Sequence, residues 1–450
     1  MSTSNKKLKE RLKAVESRHV TLISDDFPVF WESAQGSVVR DVDGKKYLDL
    51  TSAFAVSSLG HRAPAIQKAI VAQSHKMWHG MGDVHPNSVK VELLEELARI
   101  CPGKLGVSIL SSSGAEAVES ALKTARLFTG KPGVIAFRGA YHGLSYGTLG
   151  LTDRAEFSAP FRDQIPSISV HMPYPDSLRG PKEEECLERL EKFLKNPSPQ
   201  PSPDGRGRSE ATGEGGLRFG AVLVEPVQGR GGIRIPSPLF LKELRRITRS
   251  HGLLLIADEI MTGIGRTGKT FAVEHSGIVP DLLCVGKALA NGFPLSACVG
   301  TPEVMSAWPS SDGEAIHTST FLGNPLGCAM ALASLKELRS KNLAAKAATL
   351  GEWWKRELME EIGGHPRVGE IRGLGLMVGI EFVTDKKSLA PDPQWTGRVV
   401  TQALKRGLIV LSGGSCRNVL TLTPALTISK AELQKATRLL KETLYGTAIV

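Results

Sequence analysis

Short apolar runs alternate with amphipathic helical segments through the middle of the chain, between about residues 70 and 335. Five of these runs are VSIL, GVIAF, GAVLVEP, LLLIADE and LLCVGK. Runs that are apolar throughout are typical of strands buried on both faces. Because strands that alternate with helices favour parallel pairing, the pattern predicts an α/β fold with a mostly parallel central sheet covered by helices.

The two ends of the chain have different patterns. Residues 1–70 begin with a charged, helix-like segment, and FWESAQGSVVRDVDGKKYLDL then predicts two strands joined by a turn at Asp43 and Gly44. After residue 335, a long amphipathic pattern that ends in EWWKRELMEEI predicts a single helix. The rest of the chain predicts a mixed α+β region.

Residues 196–216, NPSPQPSPDGRGRSEATGEGG, interrupt the middle region. They are rich in Pro, Gly and Ser and contain almost no apolar side chain, so burial cannot offset the entropy lost on ordering. We therefore predict a flexible insertion without a catalytic role, whose deletion leaves activity unchanged.

Composition excludes some classes of function. The chain has 450 residues, of which 41% are hydrophobic, which is enough for a large core in two or three domains. The net charge of +10 is not concentrated in basic runs interleaved with aromatic residues, which favours a solvated basic surface over nucleic-acid or membrane partners. The six cysteines form no CxxC pair, and no apolar signal segment or membrane span is present. We expect a cytoplasmic protein with reduced cysteines and no metal site.

Lys287 is the lysine in the most unusual surroundings, within DLLCVGKALANGFPLSA. An apolar strand-like run and a small-residue turn flank it, so its amine is either paired with an acid or used chemically. The second interpretation implies a Schiff base with a carbonyl cofactor. Such a cofactor also needs a phosphate anchor and an acid that keeps its ring nitrogen protonated.

Candidates for both requirements precede Lys287 in the chain. Asp258 and Glu259 end the apolar run GLLLIADEI, and ligands of open α/β sheets bind at the carboxyl ends of strands. Residues 111–126, SSSGAEAVESALKTAR, predict a capped helix start. Exposed amides and the helix dipole make such a start a seat for phosphate.

These segments belong to a series of motifs that resembles, over nearly the whole chain, the class III pyridoxal-phosphate aminotransferases of the ω-amino acid type, such as 4-aminobutyrate and ornithine aminotransferases. The motifs, in order, are YLDLTSAFAVSSLGH, SGAEAVESALKTAR, AYHG, EPVQG, ADEIMTGIGRTG, GKALANGFPLSA, HTSTFLGNPLGCA and RGLGLMVGIE. The resemblance implies the pyridoxal-phosphate-dependent transferase fold type I. It also implies a large cofactor domain over residues 71–335 and a smaller α+β domain built from residues 1–70 and 336–450.

The resemblance implies two catalytic residues. Lys287 is expected to hold the aldehyde of pyridoxal 5'-phosphate as a Schiff base and, once substrate displaces it, to move a proton between the substrate carbon and the cofactor. Asp258 is expected to pair with the pyridine nitrogen. The residues alone also allow a structural lysine in a buried ion pair and an acid that caps the turn after its strand.

Other motif positions imply further contacts with the cofactor. Gly114 and Ala115 would offer amides to its phosphate, and Ile260 and Tyr141 would cover its two ring faces. His142 is either a contact or a hydrogen-bonded residue of its turn. A threonine of the HTSTFLGNP motif is expected to reach the phosphate from a neighbouring subunit, which implies a homodimer. The full predicted set is Ser113, Gly114, Ala115, Tyr141, His142, Glu225, Asp258, Ile260, Lys287 and Thr320.

At the positions expected to bind substrate, the sequence differs from that of many relatives. Arg230 stands where they have the glutamate of EPxQGE, and Thr421 stands where they have the arginine of NVxR, so both halves of that pair are missing. Because an unpaired buried arginine is costly, Arg230 either meets a substrate carboxylate or faces solvent. Arg417 is a second candidate for carboxylate binding. Phe54 lies where the family lines the substrate entrance, and Met261 replaces a glutamine expected near the cofactor hydroxyl.

The implied activity is transfer of an amino group from an amine or ω-amino acid, as in 4-aminobutyrate, to a keto acid by a ping-pong cycle. An amino-acid racemase or epimerase, a decarboxylating enzyme of the same family and a catalytically silent cofactor-binding protein stay open.

A P-loop NTPase is the remote alternative, because GIGRTGKT matches GxxxxGK[ST] over residues 263–270. A P-loop should follow its strand directly and precede the acid-bearing strand, whereas Asp258 and Glu259 come before these glycines.

Overall fold

The computed structural model describes residues 4–195, 218–311 and 313–447. The insertion predicted at residues 196–216 lies outside the described residues. The strands are β1 Trp31–Gln35, β2 Val38–Asp41, β3 Lys46–Asp49, β4 Val107–Ser111, β5 Gly133–Phe137, β6 Ser169–Met172, β7 Phe219–Val224, β8 Leu254–Asp258, β9 Leu282–Val285, β10 Ser296–Gly300, β11 Val368–Leu374, β12 Met377–Phe382, β13 Leu408–Ile409, β14 Leu411–Gly413 and β15 Val419–Leu422.

Helices cover these strands and connect them. The α-helices are α1 Asn5–Val15, α2 Ser52–Ala55, α3 Pro64–Ser74, α4 Ser88–Ile100, α5 Gly114–Thr129, α6 Tyr146–Leu149, α7 Ala155–Ser158, α8 Glu183–Lys195, α9 Pro238–Ser250, α10 Pro302–Met305, α11 Pro325–Ser340, α12 Leu343–Ile362, α13 Pro393–Lys405 and α14 Lys430–Gly446. Short 3₁₀ helices cover Ala159–Gln164, Ala272–Ser276 and Lys287–Leu289.

A seven-stranded sheet in the order β4-β10-β9-β8-β7-β5-β6 forms the centre of the molecule. Four of its pairings are parallel, and only β10 runs against its two neighbours. All residues of β5, β7, β8 and β9 are buried, which explains why these strands appear in the sequence as continuous apolar runs. The predicted α/β fold with a mostly parallel central sheet is confirmed.

Two smaller sheets lie outside the central one. One has the order β1-β2-β3-β13, and the parallel pairing of β3 with β13 joins the two ends of the chain. The other, β11-β12-β15-β14, is antiparallel and belongs to the carboxyl-terminal region. The domain boundaries at residues 70 and 335 remain predictions.

Two local predictions were wrong. The amino-terminal pattern forms three strands rather than two, because a turn at Gly36, with φ of 57°, separates β1 from β2 ahead of the predicted turn at Gly44. The long helix predicted after residue 335 is two helices, α11 and α12. Asn342 separates them with φ of 48°, in the left-handed region that a right-handed helix cannot continue through.

The strand directions bring distant motifs to one edge of the central sheet. The carboxyl ends of β5, β7, β8 and β9 point the same way, since these strands are mutually parallel. The edge therefore collects the turn 140–143 after β5, Glu225 after β7, Asp258 at the end of β8 and Lys287 after β9. Helix α5, which follows β4, begins at the same edge.

Candidate active site

Asp258 and His142 form a buried pair at this edge. His142 Nδ1 lies 2.7 Å from Asp258 Oδ2, and the amide of Ile260 donates to Asp258 Oδ1 at 3.1 Å. Both side chains are almost fully buried. Within the described residues, His142 Nε2 has no hydrogen-bond partner. Because each carboxylate oxygen has a hydrogen-bond partner, the Asp258 side chain keeps a fixed direction.

Glu225 holds two turns of the site together. Its carboxylate accepts hydrogen bonds from the amides of Tyr141 and Gly229, each at 2.9 Å. The hydroxyl of Tyr174 donates to the carbonyl of Glu225 at 3.0 Å. Burial raises the pKa of the Glu225 carboxyl. Glu225 therefore supports the backbone that presents Tyr141.

Lys287 follows β9 and begins a single turn of 3₁₀ helix. Burial lowers the pKa of its amine, Arg230 acts in the same direction, and the carboxylates of Asp258 and Glu225 oppose the shift. A lowered pKa increases the neutral fraction of the amine, which is the nucleophilic form. Lys287 also has φ of 43°, an uncommon conformation for a residue with a side chain that is frequent at functional sites.

The start of α5 has the features of an anion seat. Ser113 caps the helix, with its Oγ accepting from the amide of Glu116 at 3.3 Å, and the amide of Ala117 is the first to bond to a helix carbonyl, that of Ser113. The amides of Gly114 and Ala115 therefore need an acceptor from outside the helix. A Cβ atom at Gly114 would lie 2.9 Å from Ile260 Cδ1, so a larger residue at this position would displace the isoleucine side chain.

Residues 260 and 261 pack on glycines on two sides of the site. Ile260 lies against Gly114 and also close to Gly286, which directly precedes Lys287. Met261 fills the space beside Gly229, since a Cβ there would lie 2.2 Å from its Sδ. The strand end of β8 is thus fixed against the phosphate-seat helix and against the turn after β7.

Arg230 lies over the ring of Tyr141, with 4.9 Å between its guanidinium carbon and the ring centroid. Phe157 contacts the same ring edge-on at 6.1 Å. The predicted alternatives for Arg230 were a substrate carboxylate or solvent. The structure adds a cation–π contact, which holds the guanidinium at the site without neutralising its charge.

We call the buried part of the site, formed by Asp258, Glu225 and Lys287, its floor. Four other residues considered in the sequence lie outside it. Arg417 is 67% exposed and 3.6 Å from the carboxylate of Glu156. Phe54 is 58% exposed, in α2, where Ser52 to Ala55 all have positive φ. Thr320 is exposed in the loop before α11. Thr421 lies within β15 and donates to the carbonyl of Leu411 at 3.3 Å, so it offers no charge to a substrate.

Three residues near the site were missed in the sequence. Thr152 accepts from the amide of His142 at 3.0 Å and donates to the carbonyl of Gly143 at 2.8 Å, which fixes the AYHG turn. Arg154 and Glu156 lie next to Arg230 and Arg417, as described below. All three follow the AYHG motif by about ten residues in LTDRAEF, which has no pattern that would have revealed these contacts.

The P-loop alternative does not fit the structure. The segment 263–270 is followed by the short 3₁₀ helix Ala272–Ser276 rather than by the α-helix that seats phosphates in a P-loop. The buried side chain of Arg266 donates to the carbonyls of Leu376 and Pro424, which ties this loop to the carboxyl-terminal region.

The donor set at the sheet edge fits an aromatic aldehyde with a phosphate group. Free amides at the start of α5 suit the phosphate, the buried carboxylate of Asp258 suits a protonated ring nitrogen, and Lys287 suits the aldehyde. In the described ranges, no group of three or more His, Cys, Asp or Glu side chains is arranged to hold a metal ion.

Comparisons with known proteins agree with this chemistry. The profile of the class-III aminotransferase family matches residues 21–444. The 5-aminovalerate aminotransferase DavT of Pseudomonas aeruginosa is 37% identical, with 98% of this chain and 99% of the relative covered. The 4-aminobutyrate aminotransferase GabT of Escherichia coli is 36% identical, with 98% of each chain covered.

Solved structures of aminotransferases have the same fold as this chain. An aminotransferase of Bacillus anthracis superposes with a TM-score of 0.88 at 28% identity, covering 98% of both chains. The ornithine aminotransferase of Toxoplasma gondii, described with pyridoxal phosphate at its active site, gives a TM-score of 0.82 at 28% identity and covers 99% of this chain and 95% of its own.

The chain belongs to the class-III aminotransferases. It is therefore an enzyme that depends on pyridoxal phosphate and has fold type I, as the sequence predicted. Among residues 4–195, 218–311 and 313–447, no helix combines the length and the apolar character that crossing a bilayer requires.

Proposed function

We propose that this aminotransferase moves an amino group from an amine or ω-amino acid to a keto acid in a ping-pong cycle, with Lys287 as its catalytic lysine. The observation that carries this proposal is the meeting of Lys287, whose amine has a lowered pKa, with the fixed carboxylate of Asp258 at the ends of adjacent strands. The two relatives named above act on 5-aminovalerate and 4-aminobutyrate, which supports ω-amino acids as donors.

The proposed roles follow from the surroundings of each residue. Pyridoxal phosphate, when bound, supplies an electron sink for charge that develops on the substrate carbon. Asp258 holds the ring-nitrogen proton, and His142 keeps that carboxylate in place. The amides of Gly114 and Ala115 bind the phosphate, and the neutral amine of Lys287 takes and returns the substrate proton.

We assign the remaining predicted residues to the cofactor's ring and to the substrate entrance. Ile260 and Tyr141 cover the two ring faces, Ser113 caps the phosphate-binding helix, and Glu225 supports the Tyr141 turn. Arg230 and Arg417 receive substrate carboxylates at the entrance, where Phe54 forms an aromatic wall.

The test is spectroscopic. Purified protein should carry the visible absorption of bound pyridoxal phosphate, and amines or ω-amino acids added one at a time should shift it when they are donors. A keto acid should then restore the original spectrum and yield the matching amino acid, with parallel lines in double-reciprocal plots. Interconversion of enantiomers without an exchanged amino group would instead support a racemase, and an unchanged spectrum with every donor would contradict the proposal.

We further propose that the enzyme is a homodimer. Six large apolar side chains are exposed on two segments, residues 77–84 and 316–321; we call them the exposed apolar face, and they are Met77, Trp78, Met81, Val84, Ile316 and Phe321. Exposed apolar area of this kind is typical of association surfaces. Burying this face against a second copy would also suit the expectation that Thr320 reaches the phosphate of the neighbouring subunit.

Contacts between the two segments support a single continuous surface. The hydroxyl of Thr318 donates to Asp83 at 2.7 Å, and the rings of His79 and Phe321 are 5.4 Å apart. The double variant Trp78→Glu, Phe321→Glu should be monomeric by light scattering and should retain less cofactor. Leu239→Glu, at an exposed leucine of α9, is the matched control. A double variant that remains a dimer would contradict the use of this face.

We propose a cytoplasmic location on the basis of the cysteines. All six lie in the described part of the chain as free thiols, as is usual in reducing compartments. Fractionation of cells that express the tagged protein tests this proposal, and recovery outside the cytoplasm would contradict it.

A further inference from the structure

Three guanidiniums lie close to one another, and we call them the arginine cluster: Arg154, Arg230 and Arg417. Arg230 is the member that lies over the ring of Tyr141. The three arginines come from separate parts of the chain: the start of α7, the turn after β7 and the turn after β14. The neighbours of Arg154 include Arg230 and Arg417, which both act to lower its pKa after the larger effect of burial. The cluster therefore unites like charges that the sequence keeps far apart.

Arg154 holds together the two turns that carry the other arginines of the cluster. Its side chain is buried, and its Nη2 donates both to the carbonyl of Arg230 and, at 3.1 Å, to the carbonyl of Gly414. The amide of Gly414 in turn donates to the carbonyl of Arg230 at 3.0 Å, and that of Arg417 to the carbonyl of Gly414 at 3.0 Å. One buried guanidinium thus positions the two turns that carry the other arginines.

Glu156 is the only carboxylate paired with the cluster among the described ion pairs. Its Oε1 lies 3.5 Å from Arg154 Nη1 and 3.6 Å from Arg417 Nη2. Both distances exceed the 2.7–2.9 Å typical of charge-assisted hydrogen bonds. Glu156 is 39% exposed, so water competes for the same contacts. The carboxylate is therefore held loosely by two cations at once.

The charges of the cluster do not balance. Partial burial acts to raise the pKa of Glu156, but a backbone hydrogen bond and the two arginines outweigh it and hold the pKa below its usual value. Glu156 is thus ionised at neutral pH, and three guanidiniums share one negative charge. A second anion at this position would be stabilised by the excess positive charge.

We propose that Glu156 is an internal anion that occupies Arg417 when the site is empty, and that a substrate carboxylate takes its place there. This inference rests on the proposed function and adds a specificity-determining residue to it. Glu156 weakens the binding of every ligand with a carboxylate at Arg417, because that carboxylate must displace it. Amines without a carboxylate do not compete with Glu156. Its presence therefore reduces the difference in affinity between carboxylate-bearing substrates and carboxylate-free amines.

The inference predicts that replacing Glu156 and replacing Arg417 change the affinity for carboxylate ligands in opposite directions. Removing the charge of Glu156 frees Arg417, so carboxylate ligands should bind more tightly, whereas removing the charge of Arg417 should make them bind more weakly. A residue with a merely structural role would weaken binding when replaced. Glu156→Gln keeps the size of the side chain and changes only its charge.

The probe is glutarate, a dicarboxylate without an amine or carbonyl that could react, and its uncharged diamide is the comparison ligand. Their dissociation constants for the holoenzyme are measured by calorimetry at low ionic strength. Glu156→Gln should bind glutarate about two- to fivefold more tightly, the range expected for one exposed ion pair, and the diamide without change. Arg417→Gln should bind glutarate more weakly, and adding Glu156→Gln to it should restore little.

Glu352→Gln is the matched control, because it removes the same charge from an exposed ion pair with Lys355 in α12. Glutarate affinity that is unchanged or weakened in Glu156→Gln would overturn the inference. So would equal gains for glutarate and the diamide, an equal gain in Glu352→Gln, or the absence of glutarate binding in all variants. The proposed function is judged separately by the spectral response of the wild-type enzyme to amines, so the two can fail independently.

Discussion

At the floor of the candidate site, Asp258, Glu225 and Lys287 lie at or directly after the ends of buried strands, whereas Arg230, Glu156 and Arg417 at the mouth lie in turns or short helices. The floor pairs its buried carboxylates with short hydrogen bonds from His142 and backbone amides. The mouth has an excess of guanidiniums and a long, exposed ion pair.

This difference separates two tasks. Proton transfer needs groups whose positions and pKa values are fixed before the substrate arrives, and burial on rigid strands provides both. Substrate selection needs charges that can change partners, and exposed side chains on turns exchange partners at little cost. We expect replacements at the floor to reduce turnover and replacements at the mouth to alter the choice of substrate.

The largest effect is expected for Lys287→Ala. Loss of the proposed covalent catalyst and base should reduce kcat by several orders of magnitude, about a thousandfold or more. Steady-state assays with a confirmed donor and circular dichroism would separate loss of chemistry from loss of fold. A wild-type rate in this variant would remove Lys287 from the mechanism.

Glu259, fully buried behind Asp258, gives a prediction on stability. Burial raises the pKa of Glu259 to about 7, above that of an exposed glutamate, so the fold favours the protonated form. Its contribution to stability is present below about pH 4.5 and is lost as pH rises through about 7. Between about pH 5 and pH 8, the free energy of unfolding of the wild type should fall by on the order of 3 kcal/mol relative to that of Glu259→Gln.

Thermal or urea unfolding of both proteins across this pH range measures that difference. Glu352→Gln is the control, because it removes the charge of an exposed glutamate in α12 that is not among the groups acting on Glu259. Parallel stability curves for wild type and Glu259→Gln would contradict the assignment of a proton to Glu259.

His142→Leu tests whether the floor depends on its hydrogen bonds. A hydrogen bond to a charged group contributes about 1.5–3 kcal/mol, so kcat should fall about 10- to 100-fold if His142 positions Asp258. The pH profile of kcat should also shift, since Asp258 loses its fixed partner. A variant with normal kcat and pH profile would leave His142 with only a packing role.

Arg230→Glu should have the smallest effect on turnover and the clearest effect on selectivity. Reversing this charge should raise KM for carboxylate-bearing substrates about tenfold, while KM for carboxylate-free amines and cofactor affinity change little. KM values for a matched pair of donors, with and without a carboxylate, measure the shift. Equal changes for both donors would exclude Arg230 from carboxylate binding.

The floor could be predicted from the sequence because its residues stand at fixed positions relative to regular elements. Asp258 ends an apolar run and Gly114 begins a capped helix, so strand direction and helix polarity were enough to bring them together. The choice of Lys287 needed only its apolar surroundings and a motif.

The mouth could not be predicted in the same way. The pair of Glu156 and Arg417 joins residues that are distant in the chain and lie in irregular segments, where no period predicts the direction of a side chain. The turn at Gly36 and the break at Asn342 were missed for a related reason. Each depends on a single residue with positive φ inside a pattern that continues on both sides.

The parallel pairing of β3 with β13 has a consequence for synthesis of the protein. Leu48 pairs with Leu408, so the sheet that contains the amino-terminal strands cannot be completed until nearly the whole chain has left the ribosome. Until then the open edge of β3 can pair with strands of other nascent chains. Contacts between residues so distant in sequence also slow folding. We therefore expect chaperones to bind this first segment of the chain during synthesis.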